Sequence, residues 1–298
     1  MIEIKKNEIL ASHSTFKIGG PARYFAIAKN KDEIIEAIDF AKNKNLPYFI
    51  FGGGSNILFS DRGFNGVVIK IQNSKFKIQN DNPKFKIIKV DAGTPFIRVI
   101  MNSVEAGLSG LEWGIGIPGT IGGCVAGNCG AYGHSISEVV EKIKTLDKEY
   151  SNKECNFEYR TSRFKPLPMS DLDENKVRPL PEIILEIGLK LKRGDKEKLK
   201  KEIKDILDKR KTRIPPFPSV GSIFKNLKEK NISAGSLIER CGLKGRIIGG
   251  AQISEQHANF IINIGGATAE DVLSLIKICK DEVKKKFNVD LEEEIIVV

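Results

Sequence analysis

The sequence predicts a chain of two or three domains that mix short strands with amphipathic helices, and three observations carry that expectation. Its 298 residues exceed what one hydrophobic core comfortably holds. Apolar positions recur at helical spacing in some windows and as short strand-like runs in others, with glycine and proline between them. Hydrophobic residues make up 41% and charged residues 29%, the balance of a soluble globular protein.

The first readable element is a helix with Ile34, Ile35, Ile38 and Ala41 on one face. A strand over 47–51 follows, ending in Gly52-Gly53-Gly54-Ser55-Asn56, and a second strand covers 67–71. This is a small α/β unit with a glycine turn at a strand end, where such folds place ligands. A strand over 87–90 precedes a helix marked by Ile97, Ile100, Met101 and Val104. Next comes PGTIGGCVAGNCGAYG, residues 118–133, with six glycines. That density costs backbone entropy and is worthwhile where backbone must touch something closely, its amides converging on an anion.

Strands over 143–146 and 183–191 flank a polar, proline-containing loop at 165–181. A basic helix over 196–211 buries Leu199, Ile203, Ile206 and Leu207, leaving its lysines on a solvated face. Pro215, Pro216 and Pro218 then stop the helix and suit a domain boundary near Arg213. Beyond it the pattern predicts a short helix over 236–241 and strands over 246–253 and 259–264. A helix over 268–286 follows, capped by Thr268 and burying Val272, Leu275, Ile276, Cys279 and Val283. A strand over 294–298 ends the chain.

Several function classes are excluded. The net charge of +10 fits a phosphorylated small ligand, because neither an aromatic-interleaved basic stripe nor a helix-turn-helix pattern supports nucleic acid. Five cysteines without a C-x-x-C pair read as free thiols and argue against a disulfide framework or a structural metal. No apolar run approaches a membrane span and no cleavable leader is visible, so a cytoplasmic protein is expected. The Gly52 turn lacks the Gly-Lys-Ser/Thr of a Walker loop and does not fit G-x-G-x-x-G. Two glycine-rich turns would together suit a dinucleotide pyrophosphate such as that of FAD.

Three further clusters stand out. Ser222, in GSIFKN, lacks the G-x-S-x-G elbow, and only His13, His134 and His257 offer a base, so a serine hydrolase is disfavoured. It reads either as a turn residue or as a proton donor beside a cation. Arg160, in YRTSRFK, is a surface cation or a fork for a carboxylate or diphosphate. Glu292, Glu293 and Glu294 form an acidic run before an apolar strand.

Taken together, these segments resemble the UDP-N-acetylenolpyruvoylglucosamine reductase family. The match runs through residues 16–22, 52–56, 118–133, 159–165, 221–226, 234–245, 249–263 and 291–295, nearly the whole chain. The resemblance implies an α+β protein: a two-part FAD-binding region of the vanillyl-alcohol-oxidase type, 1–72 and 73–212, then a smaller α+β substrate-binding domain, 213–298. It implies non-covalent FAD held by Gly52, Gly53, Gly54, Ser55, Asn56, Ile57, Pro118, Gly119, Thr120, Gly122, Gly123 and Asn128. NADPH would reduce the flavin, and the enolpyruvyl ether of UDP-N-acetylglucosamine would then become UDP-N-acetylmuramate for peptidoglycan. Ser222 would donate the proton, Arg160 would neutralise charge on the substrate carboxylate, and Glu294 would assist. Tyr159, Lys225 and Asn226 match substrate-binding positions. No metal, nucleic acid or membrane partner is implied, and a monomer is expected.

Departures from the family pattern leave some points open. Glu293 stands where the family often has proline, so Glu292 and Glu293 compete with Glu294, which the place before Ile295 favours. Cys124 and Cys129 occupy small-residue positions, Leu227 replaces a common proline, and the tyrosine-bearing loop of the longer type is missing. The rival readings are another FAD oxidoreductase or oxidase on the same scaffold, and a non-enzymatic nucleotide-sugar binding module.

Overall fold

The computed structural model describes residues 1–79, 82, 84–166, 182–227 and 232–298, so the expected loop at 165–181 lies outside the described residues from position 167 onward. Strand β1 (Ile4–Ile9) pairs antiparallel with β2 (Pro21–Ala28), and helix α1 (Lys31–Asn43) carries the chain to β3 (Tyr48–Phe51). After the short β4 (Ile57–Leu58), β5 (Phe64–Ile71) runs parallel to β2 and β3, giving the order β1-β2-β5-β3. The apolar run of β5 explains its inner place. Val67, Ile69 and Ile71 share a core with α1, whereas Val68 joins Phe25, Phe49 and Phe51. A strand buried on both faces carries no polar alternation. Helix α1 turns Ile34, Ala37, Ile38 and Ala41 inward, while Ile35, expected on that face, is 38% exposed. The i, i+3, i+4, i+7 series passes through the small Ala37 instead.

The second unit begins with the hairpin of β6 (Phe76–Gln79) and β7 (Phe85–Asp91), then α2 (Phe96–Glu105) and β8 (Leu108–Ser109). Helix α2 buries Phe96, Val99, Ile100, Ser103 and Val104, leaving the expected Ile97 and Met101 50% and 39% exposed. Starting at Phe96 sets this face, and Ser103 fits it because its hydroxyl donates to the Val99 carbonyl at 2.7 Å. The glycine run is not a plain loop. Within it lies α3 (Ile121–Ala126), capped by the Thr120 hydroxyl, which accepts from the Gly123 amide. Asn128 ends the helix at φ 42, and the Cys129 amide returns to the Cys124 carbonyl at 2.8 Å, a six-to-one cap.

After the small ladder β9 (Gly130–Ala131) and β10 (His134–Ser135) come β11 (Val140–Thr145), β12 (Glu149–Ser151) and the long β13 (Ile184–Arg193). They form an antiparallel sheet in the order β12-β11-β13-β7-β6, with β8 also on β13. Ile187, Leu189 and Leu191 alternate inward along β13 and meet α2 and α4 (Lys196–Lys211) in one core. Helix α4 has the expected bounds, and Leu199, Ile203 and Ile206 are its buried residues.

The third unit packs α5 (Ala234–Arg240) and α6 (Ala269–Phe287) with a meander of β14 (Ile247–Ile248), β15 (Ala251–Ile253) and β16 (Ile261–Asn263). The single strand expected over 246–253 is therefore two. Gly249, at φ 51, and Gly250 turn between them, and a Cβ on Gly250 would lie 2.3 Å from the Ala267 nitrogen. Thr268 caps α6 in a capping box with Asp271, and all five expected residues of that helix are buried.

Core packing, strand pairing and hydrogen bonds tie the third unit to the first. Phe16, Ile18 and Leu58 enter its core, and β17 (Ile296–Val297) lies parallel to β4. Across the same boundary, the Asp61 carboxylate accepts from the amides of Ala269 at 2.8 Å and Glu270 at 3.1 Å, the free end of α6. Asp61→Ala is expected to remove about 1 kcal/mol or more by uncapping α6; the check is a lowered thermal midpoint against the unsubstituted protein. An unchanged midpoint would mean that Thr268 suffices as the cap.

Candidate active site

The two glycine turns, far apart in sequence, are in backbone contact. A Cβ on Gly53 would lie 2.7 Å from the Gly119 Cα, and one on Gly52 would lie 2.2 Å from the Thr120 hydroxyl oxygen. Gly119 adopts φ 109, and Ser55 fastens the turns by donating its hydroxyl to the Pro118 carbonyl at 3.1 Å. Glycine is required at these places because side chains would fill the approach.

This contact walls a cavity of about 580 Å³, within the range of ligand pockets. Gly52, Gly53, Gly54, Ser55, Asn56 and Ile57 line it, as do Pro118, Gly119, Thr120, Gly122 and Gly123. So do Arg160, Ser222 and Glu294 from the two later units. Asn128 is not among the lining residues. Its amide donates to the Glu158 carbonyl at 2.7 Å and accepts from the Ser137 amide, so it braces the turn that presents Arg160.

Arg160 lies in that turn at φ 59, between the mutually hydrogen-bonded Glu158 and Thr161. Its Nε is 2.9 Å from Oε1 of Glu294, and the two side chains are 23% and 20% exposed. The contact has ion-pair distance, yet the Nε–H is not aligned to count as a hydrogen bond. Burial pushes the Glu294 carboxyl up, and the neighbouring Arg160 and Lys165 pull against it.

The three acids are separated by their cations. Glu294 faces Arg160, Glu293 pairs with Lys280 at 2.5 Å, and Glu292 pairs with Lys225. The main chain of Glu294 is fixed from both sides: its amide donates to Ile223 O at 2.7 Å, and its carbonyl accepts from Asn56 Nδ2 at 3.0 Å. Ser222 forms an isolated bridge with Phe260, and the buried Asn259 side chain both accepts from and donates to the Phe224 main chain. That residue is a support the sequence did not flag.

Tyr159, Lys225 and Asn226 are not among the lining residues but gather at one edge. The Tyr159 hydroxyl accepts from the Asn226 amide at 3.3 Å, and the Asn226 side chain accepts from the Ala234 amide at 3.0 Å. Arg210 of α4, which the sequence reading did not single out, lines the cavity with its Nε enclosed and its guanidinium 5.5 Å from the Tyr132 ring centre. The signal was present: 203, 206, 207 and 210 share the apolar face of α4. Lys165 also lines the cavity.

The close-packed glycine turns fit a long ligand held by backbone, as a dinucleotide requires. Comparison with known proteins agrees. Residues 22–149 match the family model of an FAD binding domain, and residues 212–298 match that of the UDP-N-acetylenolpyruvoylglucosamine reductase C-terminal domain. UDP-N-acetylenolpyruvoylglucosamine reductase of Caldanaerobacter subterraneus subsp. tengcongensis is 40% identical, over 98% of this chain and 92% of its own. The enzyme of that name from Bacillus pumilus is 38% identical, over 99% and 94%. The crystal structure of UDP-N-acetylenolpyruvylglucosamine reductase from Thermus caldophilus superposes with a TM-score of 0.80 at 30% identity, covering 100% of this chain and 99% of that one. The expected α+β class is the one found.

A Cβ on Gly53 should part the two turns. Gly53→Ala is expected to weaken FAD retention at least tenfold, read as flavin absorbance kept through gel filtration and as the Kd of reconstitution. Undiminished retention would show that the contact does not hold the cofactor.

Proposed function

The chain belongs to the UDP-N-acetylenolpyruvoylglucosamine reductase family, and from that membership we propose how its residues act. It is an FAD-dependent oxidoreductase that reduces the enolpyruvyl ether of UDP-N-acetylglucosamine to UDP-N-acetylmuramate, a peptidoglycan precursor. The finer reading takes NADPH as donor, a monomer working in the cytoplasm, and divisions of the chain at 72/73 and 212/213. The observation that carries the catalytic roles is the Arg160–Glu294 pair lining the same cavity as Ser222 and both glycine turns.

When bound, FAD supplies hydride transfer. Residues 52–57, 118–120, 122 and 123 would hold it by backbone approach. Reduction of the enolpyruvyl double bond leaves enolate-like charge on the carboxylate side of the substrate, and the chain must answer that charge. Arg160 does so as a preorganised cation in an enclosed site, where such a group is worth more than in water. Glu294 keeps the guanidinium in place and limits its side-chain freedom. Ser222 then delivers a proton from its Oγ to the carbon that holds the negative charge, in a cavity that Arg160 and Lys165 also line. Tyr159, Lys225 and Asn226 bind the nucleotide-sugar side, and Lys225 must exchange Glu292 for a diphosphate oxygen.

The first test is anaerobic. Flavin absorbance should bleach on adding NADPH and return on adding the enolpyruvyl substrate; flavin left unbleached would remove NADPH as donor. The second separates the acids and the proton donor. Ser222→Ala should leave NADPH-driven bleaching intact and slow the return of colour about 100-fold or more. Glu294→Gln should act on the same half, whereas Glu293→Gln should stay within about threefold; the reverse order would transfer the role to Glu293.

A further inference from the structure

Lys165 closes the 159–165 motif and has no part in the reading above. Its ammonium donates to the main-chain carbonyl of Arg160 at 3.0 Å and reaches that of Glu294 at 3.5 Å. These are the two residues whose side chains form the ion pair. Arg160 is left-handed, which costs a non-glycine residue about 1–2 kcal/mol, so its backbone needs an external hold. The turn's own hydrogen bonds join Glu158 and Thr161 and leave the Arg160 carbonyl outside.

We propose that Lys165 is a positioning residue for the reduction: one ammonium ties the main chains of Arg160 and Glu294 across the boundary between the second and third units. Their side chains then keep one geometry when the substrate carboxylate enters. The charge has a second effect. Lys165 lines the cavity, so it adds positive potential where negative charge grows.

Four charged groups act on this ammonium. Lys225 and Arg160 repel it, while Glu294 and Glu292 attract it. Burial leads, with Lys225 behind it, in holding the proton affinity of Lys165 below the ordinary lysine value. As pH rises, the charge that strengthens the tie is therefore lost earlier than an exposed lysine would lose its proton.

The inference rests on the catalytic reading of Arg160 and Glu294, and stopped-flow separation of the two half-reactions distinguishes the two. In the FAD-loaded Lys165→Met variant, bleaching by NADPH should stay within about twofold. Return of colour at saturating substrate should fall about 10- to 100-fold, the scale of a small misplacement. The alkaline fall in that rate should vanish, and Lys165→Arg should restore most of the loss. A raised KM with unchanged kcat, equal losses in both halves, or a persistent alkaline fall would each overturn the proposal. Should Lys165→Met fail to fold, Lys165→Gln takes its place with the same expectations: lowered kcat with KM held supports the tie, and the opposite split removes it. Failure of the unsubstituted protein to bleach with NADPH would strike the assigned donor, not Lys165.

Discussion

The return of the last strand to the first sheet is the constraint on which the site depends. Pairing of β17 with β4 places Ile296 beside Ile57, directly after the first glycine turn. The residue two places earlier is then held by three hydrogen bonds of different origin. Ile223 takes its amide, while Asn56 and Lys165 reach its carbonyl. Glu294 thus gains its orientation from all three parts of the chain. The same frame links the glycine turn to the segment of Ser222, because Ile223 is the neighbour of that serine. A short parallel pair of two residues contributes little stability by itself, and its weight lies in the register it imposes.

A second chain of contacts joins the other glycine turn to Arg160. Helix α3 ends in the left-handed Asn128, whose amide bonds the Glu158 carbonyl. Two residues on, Arg160 is left-handed as well. The backbone of the second glycine turn and the backbone that carries Arg160 are therefore one continuous support. Precision of this kind matters where charge develops in the transition state, since a displaced donor is a weak one.

Much of this was legible in the sequence, and the rest hid for physical reasons. Long periodic elements such as α4 and α6 kept their expected faces, because apolar residues at i, i+3 and i+4 leave few alternatives. The faces of α1 and α2 were shifted at Ile35, Ile97 and Met101. There Ala37 and Ser103 supplied buried positions that hydropathy does not mark. The hairpin of β1 and β2 escaped because β1 is an edge strand with exposed lysines, Lys5 and Lys6. The glycine turns announced themselves, yet their mutual contact is tertiary and no spacing rule contains it. Motif resemblance brought Arg160, Ser222 and Glu294 to notice. Asn56, Asn128 and Asn259 act through main-chain partners distant in sequence, which is why their bracing roles are visible only in three dimensions.

The ion pair at the centre is better understood as a device for chemistry than for stability. Burial raises the folded-state pKa of Glu294 above its unfolded value, and the cations beside it offset only part of that shift. With the sign taken from that direction, the contribution of this group to stability is fully present below its unfolded pKa and is lost as pH rises through the folded one. Above that range the ionised carboxylate is therefore a cost to folding. A buried pair of this kind is often no better for stability than apolar packing. Its retention beside Lys165, which is also desolvated, concentrates three charged groups in a space that folding alone would keep dry and neutral. On the proposed roles, what the arrangement gains is a guanidinium already held in one geometry by Glu294 when the substrate carboxylate arrives. That preorganisation is worth most in the reduction step and nothing to the folded protein at rest.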